Sequence, residues 1–256
     1  MALYNKRLRP FKKVIPTSDN TNTLYSTEFD ECYHSTKDGA LNESLNKHII
    51  PAFSLLKQKE KITILDICFG LGYNTLATIY YCKTNKIKTK IEIISPEIDE
   101  ELVKSLKDFS YPKEFDGILH IINSISDNLH YEDEQFNINV VIGDARESLP
   151  KLTQKFDIIY QDAFSPKKNP LLWTREYFAL LRELCSDDIV ITTYSSATAV
   201  RIGLYENGFL LYEYSSSGIR TGTIASLKVL DLKSIDMELK MSRNKEARSF
   251  KDSDFI

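Results

Sequence analysis

A doubly wound, Rossmann-like α/β sheet, mostly parallel with an antiparallel C-terminal hairpin, is the fold this sequence predicts. Three observations predict it. From about Lys61 onward, short β-rich runs alternate with helical ones, the pattern of parallel strands joined by crossover helices. A glycine-containing turn, Asp66-Ile67-Cys68-Phe69-Gly70-Leu71-Gly72-Tyr73-Asn74, joins an apolar run to a helical one. Near the end, Phe209 to Tyr214 and Thr223 to Leu230, separated by Ser215-Ser216-Ser217-Gly218, read as a closing antiparallel hairpin.

Taken in order, strands are expected at Ile62 to Ile67, Ile91 to Ser95, Asn139 to Ile142, Phe156 to Tyr160 and Asp188 to Tyr194. Helices are expected at Thr75 to Tyr81, Glu100 to Lys107, Thr174 to Leu184 and Ala197 to Asn207. Residues 1–60 precede the sheet, and their segment Thr27-Glu28-Phe29-Asp30-Glu31-Cys32-Tyr33-His34-Ser35 is too aromatic and acidic for a linker. A cap over the cofactor cleft is expected there. Residues 61–233 form the catalytic domain, and 234–256 are a charged tail, expected as a solvated helix or a frayed end.

With 256 residues, 42% of them hydrophobic, the chain supports one large core and one catalytic unit. The cysteines Cys32, Cys68, Cys82 and Cys185 show no C-x-x-C or finger spacing, and the four histidines are scattered, so reduced thiols and no metal are expected. Met1 to Lys13 lacks the apolar core of a signal peptide, and no run approaches the ~20 apolar residues of a membrane span. A cytoplasmic protein with no membrane partner is expected. A net charge of −3 means that nucleic acid would be held by local basic patches rather than by a general field.

The turn after the first strand sets backbone N–H groups toward a ligand at a helix N-terminus, Gly70 and Gly72 allowing close approach. Three acids then stand at successive strand ends: Asp66, Glu97, placed to accept from ribose hydroxyls, and Asp144, beside Ala145, placed to accept from an adenine amino group. Such a set repels a pyrophosphate and suits the sulfonium and ammonium of S-adenosylmethionine. Taken singly, Glu97 and Asp144 read equally well as cap or turn acids.

Past the strand at Phe156 to Tyr160 comes Asp162-Ala163-Phe164-Ser165-Pro166-Lys167-Lys168-Asn169-Pro170, in the position where open α/β sheets bind ligands. A carboxylate beside an aromatic ring suits amine methylation: Asp162 holds the N–H groups so that the lone pair faces the methyl donor, and Phe164 stacks on a base. The alternative is an Asx turn with a buried Phe. Lys167, Lys168, Arg220, Arg201 and the cluster Lys6, Arg7, Arg9, Lys12 and Lys13 are candidate phosphate contacts, although single basic residues are ordinarily solvated charges. Trp173 reads as core packing for the helix that follows it.

This segment, followed by Leu172-Trp173-Thr174, resembles the signature of the tRNA 5-methylaminomethyl-2-thiouridine biosynthesis methyltransferase family. The likeness extends to Phe29-Asp30-Glu31-Cys32-Tyr33, Gly39-Ala40-Leu41-Asn42-Glu43, Phe69-Gly70-Leu71-Gly72-Tyr73-Asn74, Glu97 and Gly143-Asp144, and covers roughly residues 20–230. The resemblance implies a class I fold, S-adenosylmethionine as cofactor, and methylation of 5-aminomethyl-uridine at the tRNA wobble position. It implies that Asp162 contacts the amine and Phe164 the uracil, with Tyr33, Asp66, Phe69, Gly70, Gly72, Asn74, Glu97, Asp144, Ala145 and Asp162 around the cofactor. It further implies tRNA, through its anticodon region, as partner. Two departures are that Cys68 stands where the family usually has glycine, and that Gly218-Ile219-Arg220-Thr221-Gly222 lacks the Lys-Arg pair of fused members. No second glycine-rich cofactor turn follows, so a stand-alone methyltransferase without the flavin oxidase domain is expected. The competing readings are an aminopropyltransferase of the spermidine synthase type and a non-catalytic RNA-binding protein on a methyltransferase fold.

Overall fold

The structure is a computed structural model, and it describes residues 2–3, 11–215 and 220–256. Lys6, Arg7, Arg9 and the hairpin tip at residues 216–219 lie outside the described residues.

At the centre is an eight-stranded sheet in the order Leu210–Tyr214, Gly222–Ser226, Cys185–Thr193, Phe156–Gln161, Lys61–Ile67, Lys90–Glu97, Phe136–Ile142, His130–Glu132. The five inner strands from Cys185–Thr193 to Phe136–Ile142 are parallel, with Ile64 opposite Ile158 and Ile93 on the other side. Strand Lys61–Ile67 is covered on both faces, so that even Thr63 and Asp66 are buried: Ile62 and Ile64 join one core layer, Leu65 and Ile67 the other. Helix Tyr73–Thr84 supplies Leu76 and Ile79 to the first layer, and helix Arg175–Leu184 supplies Phe178 and Leu181 to the second.

The C-terminal hairpin pairs Tyr212 with Ile224, as expected. The opposite edge is antiparallel as well, which the sequence reading lacked: strand Phe136–Ile142 begins three residues earlier than expected and turns back on His130–Glu132. Asp133 makes that turn by accepting the amides of Gln135 and Phe136. Between Ser105 and this hairpin lies helix Leu119–Asn128, also unread in the sequence; it buries Ile121, Ile122 and Ile125.

The amino-terminal segment has a fold of its own. Strands Ala2–Leu3, Lys12–Pro16, Asn22–Ser26 and Glu31–Cys32 form an antiparallel sheet in chain order. A helical stretch follows: α over Ala40–Glu43, π over Ser44–Ile49, and α again over Ile50–Leu55. Gly39 starts it at φ 90, and a Cβ there would fall 2.0 Å from Asp19 Cγ. Asp19 in turn accepts from Asn42 N, so glycine at this position lets the hairpin Lys12–Ser26 dock on the helix.

Within residues 234–256 a largely solvated helix is followed by a docked stretch. Asp236 caps helix Met237–Arg243. Beyond it Ser249 is buried, and Asp252 accepts from Thr174 and pairs with the Arg146 guanidinium.

Candidate functional site

The site is built where strand Lys61–Ile67 ends. Cys68, Gly70 and Gly72 take φ 67, 54 and 70, so the chain turns sharply before helix Tyr73–Thr84 begins. Two of these are glycines, which tolerate the left-handed region; Cys68 occupies it against its Cβ. The next strand end braces the turn: Gly70 N donates to Glu97 Oε2 at 2.8 Å, and Asp99 N to Oε1 at 2.9 Å. Burial pushes the Glu97 carboxyl up, and those amides only partly counter it.

Beyond the turn opens a cavity of about 1070 Å³. Its wall contains Tyr33, Phe69, Gly70, Asn74, Glu97, Asp162, Phe164 and Arg220 from among the expected residues. Others are placed elsewhere. Asp66 is fully buried behind the turn, where Asn74 Nδ2 and Thr75 Oγ1 donate to it at 3.3 and 3.1 Å. Asp144 is exposed and caps its short helix by accepting from Arg146 N, while Ala145 is buried against the second core layer. Gly72 is turned toward the ring of Phe69 and Ile122. None of these four is on the cavity wall.

Asp162 is the focal group. Its Oδ2 accepts from Asn74 Nδ2 at 2.9 Å, and its Oδ1 lies 3.4 Å from His48 Nε2, an ion-pair distance without hydrogen-bond alignment. His48 comes from the π turn and is fully buried; its Nδ1 is 2.9 Å from Thr192 Oγ1. Burial alone would raise the Asp162 carboxyl, but His48, His34 and the Asn74 amide bring it below the usual carboxylate range. Asp66 goes the other way: burial first, then the charge of Asp162, push it up to about 7. One member of the pair is held ionised and its neighbour is kept near neutrality.

The reactive turn is fixed from three sides. Trp173 Nε1 donates to Phe164 O at 2.8 Å, and Tyr194 OH to Ala163 O at 2.9 Å. Glu31 Oε2 accepts from both the amide and the hydroxyl of Ser165, each at 3.0 Å. Trp173 is buried core, as expected, and also a brace for the segment before it. The Phe164 ring stacks on Phe29 at 4.7 Å and meets Tyr33 edge-on at 4.9 Å.

The basic residues divide. Lys167 and Arg220 are exposed. Lys168 pairs with Asp30 at 2.8 Å, and Lys12 is buried against Asp99 at 2.5 Å. Arg201 is buried and donates to Thr223 Oγ1, which removes it and Lys12 from the set of phosphate contacts. Among the described residues no group of His, Cys, Asp or Glu could hold a metal ion, and no helix is long and apolar enough to cross a membrane.

Sequence reasoning missed His48, His34, Glu31 and Tyr194. Glu43 and Lys47 carried a signal, an i,i+4 pair that the structure closes at 2.7 Å. His48 carried none, because its partners Thr192 and Asp162 are more than a hundred residues away.

S-adenosylmethionine fits this wall. Asn74 Oδ1 is buried without a hydrogen-bond partner among the described residues, an acceptor that a ligand ammonium or hydroxyl would satisfy. Glu97 and Asp162 add negative charge for a cationic ligand, and each Glu97 oxygen keeps a second lone pair.

A family model described as S-adenosyl-L-methionine-dependent methyltransferase matches residues 115–228. The chain is 33% identical to MnmC2 of Aquifex aeolicus, whose crystal structure it matches with a TM-score of 0.80 over 90% of this chain and 75% of that one. It is 31% identical to an uncharacterized protein of Methanocaldococcus jannaschii over 87% of this chain and 61% of that protein. To the tRNA 5-methylaminomethyl-2-thiouridine biosynthesis bifunctional protein MnmC of Azoarcus sp. it is 30% identical, over 73% of this chain and 31% of that protein. The chain thus spans about three fifths of the first of these two curated relatives and about a third of the second.

Proposed function

The chain belongs to the MnmC-type family of S-adenosyl-L-methionine-dependent methyltransferases, and we propose that it N-methylates the primary amine of 5-aminomethyl-(2-thio)uridine at the tRNA wobble position. The observation that carries this reading is the Asp162 carboxylate, held ionised on the cavity wall beside the Phe164 ring.

S-adenosylmethionine supplies an electrophilic methyl group when bound. Glu97 would receive the ribose hydroxyls, with Gly70 and Phe69 shaping the wall beside it. Asp162 accepts an N–H of the substrate amine and so aims the lone pair, an orientation effect of up to about 7–11 kcal/mol. Phe164, with Tyr33 beside it, offers a face to the flipped uracil. Stacked as it is on Phe164, Phe29 must swing aside to admit the base. In this reading residues 1–60 serve as the cap, residues 61–233 carry the chemistry, and Lys167 and Arg220 meet anticodon-region phosphates.

The test is nucleoside mass spectrometry on tRNA bearing 5-aminomethyl-uridine after incubation with the protein and S-adenosylmethionine. A gain of one methyl, lost in Asp162→Ala, is expected. Transfer to putrescine of an aminopropyl group from decarboxylated S-adenosylmethionine, with none to the tRNA, would overturn the reading.

A further inference from the structure

An ammonium has no lone pair, so the amine has to lose a proton before it attacks, and that proton needs a place to stay. A carboxylate such as Asp162 is a weaker base than an imidazole and holds a proton less tightly. Directly behind it His48 Nε2, fully buried, faces Oδ1 at 3.4 Å and has no hydrogen-bond partner among the described residues. A buried ring nitrogen left without a partner calls for an explanation.

We propose that His48 stores the proton taken from the substrate, receiving it through Asp162; the proposal rests on the amine-methylation reading above. Neutral His48 with its proton on Nδ1 donates to Thr192 Oγ1 and leaves the Nε2 lone pair toward Asp162. One proton passes from the substrate ammonium to Asp162 and from Oδ1 to Nε2, and the substrate nitrogen keeps its electron pair. The new C–N bond forms as the S–C bond breaks, sulfur keeps the bonding pair, and the positive charge moves from sulfur to the methylated nitrogen. His48 is then an imidazolium whose Nε2–H points at Asp162 and whose Nδ1–H still donates to Thr192. It returns the proton to solvent after the product leaves. The atom without a partner in the resting protein thereby gains one at the step that needs it.

The other groups facing the ring come from separate elements. Tyr160 packs edge-on at 5.7 Å, and Asp66 and His34 act through their charges. Because His48 touches Asp162 and not the substrate, it is a positioning residue.

Two readouts test it. In the protein without substrate, the two His48 ring nitrogens are read by nitrogen nuclear magnetic resonance. The proposal predicts one tautomer, with the proton on Nδ1 toward Thr192 and Nε2 bare toward Asp162. A proton resident on Nε2 overturns the proposal whatever the enzyme methylates. In single turnover on 5-aminomethyl-uridine tRNA, His48→Gln is expected to lower the rate about a hundredfold near neutrality with KM preserved. The deficit should shrink as rising pH deprotonates the amine unaided. Thr192→Ser should retain activity and Thr192→Val lose it. A loss that is equal at every pH, or equal in Thr192→Ser and Thr192→Val, assigns His48 a packing role and overturns the proposal. Absence of wild-type methylation with the expected tautomer would count against the substrate reading alone.

Discussion

Asp66 and Asp162 share one side-chain amide: Asn74 Nδ2 lies 3.3 Å from the first and 2.9 Å from the second. Two carboxylates bridged in this way do not ionise alike. The one on the cavity wall keeps its charge, and the one behind the turn is pushed up to about 7.

Stability should therefore depend on Asp66. Its folded pKa is raised above the unfolded value, so the native state binds the extra proton between about pH 4 and 7 and loses stability as pH rises through that window. The loss is on the order of 4 kcal/mol at most. Asp66→Asn should abolish most of it. Urea melts of both proteins at pH 5 and pH 8 check this, and parallel losses in the two would refute it.

Cys68 sits at φ 67 with a side chain that dislikes it. Cys68→Gly is expected to raise stability by about 1 kcal/mol, and Cys68→Val to lower it by about as much or more. Thermal melts decide, with a shift of roughly 2–4 °C per kcal/mol for a chain of this size.

At Gly39 the sign reverses. Gly39→Ala sets a methyl group against Asp19 and strains a left-handed backbone, so about 2 kcal/mol or more should be lost. Local hydrogen exchange should rise in the hairpin Lys12–Ser26 before it rises in the central sheet.

Lys167 and Lys168 should behave differently toward tRNA. Exposed Lys167 is available to phosphate, whereas Lys168 already pairs with Asp30. Lys167→Ala is expected to reduce the salt slope of binding by about 0.7–0.9, and Lys168→Ala by less. Equal slopes in both variants would remove the distinction.

The parallel strands were legible because apolar runs covered on both faces announce themselves, and Glu97, Asp162 and Phe164 follow from strand ends. That Asp66 and Asp144 stand off the cavity wall was not legible, because a strand-end acid looks the same whether it faces a ligand, supports a turn or caps a helix. The amino-terminal sheet went unread since its strands are short, half polar and paired through the Asp19 turn. His48 was beyond reach: its meaning depends on a π turn and on two partners that only the tertiary fold brings near.

Glu31 grips Ser165 by two hydrogen bonds, and Lys168 reaches back to Asp30, so the amino-terminal sheet is latched to the reactive turn itself. In the proposed reaction, product escaping on that side would require these bonds to open, a conformational step of the kind that sets turnover in many enzymes.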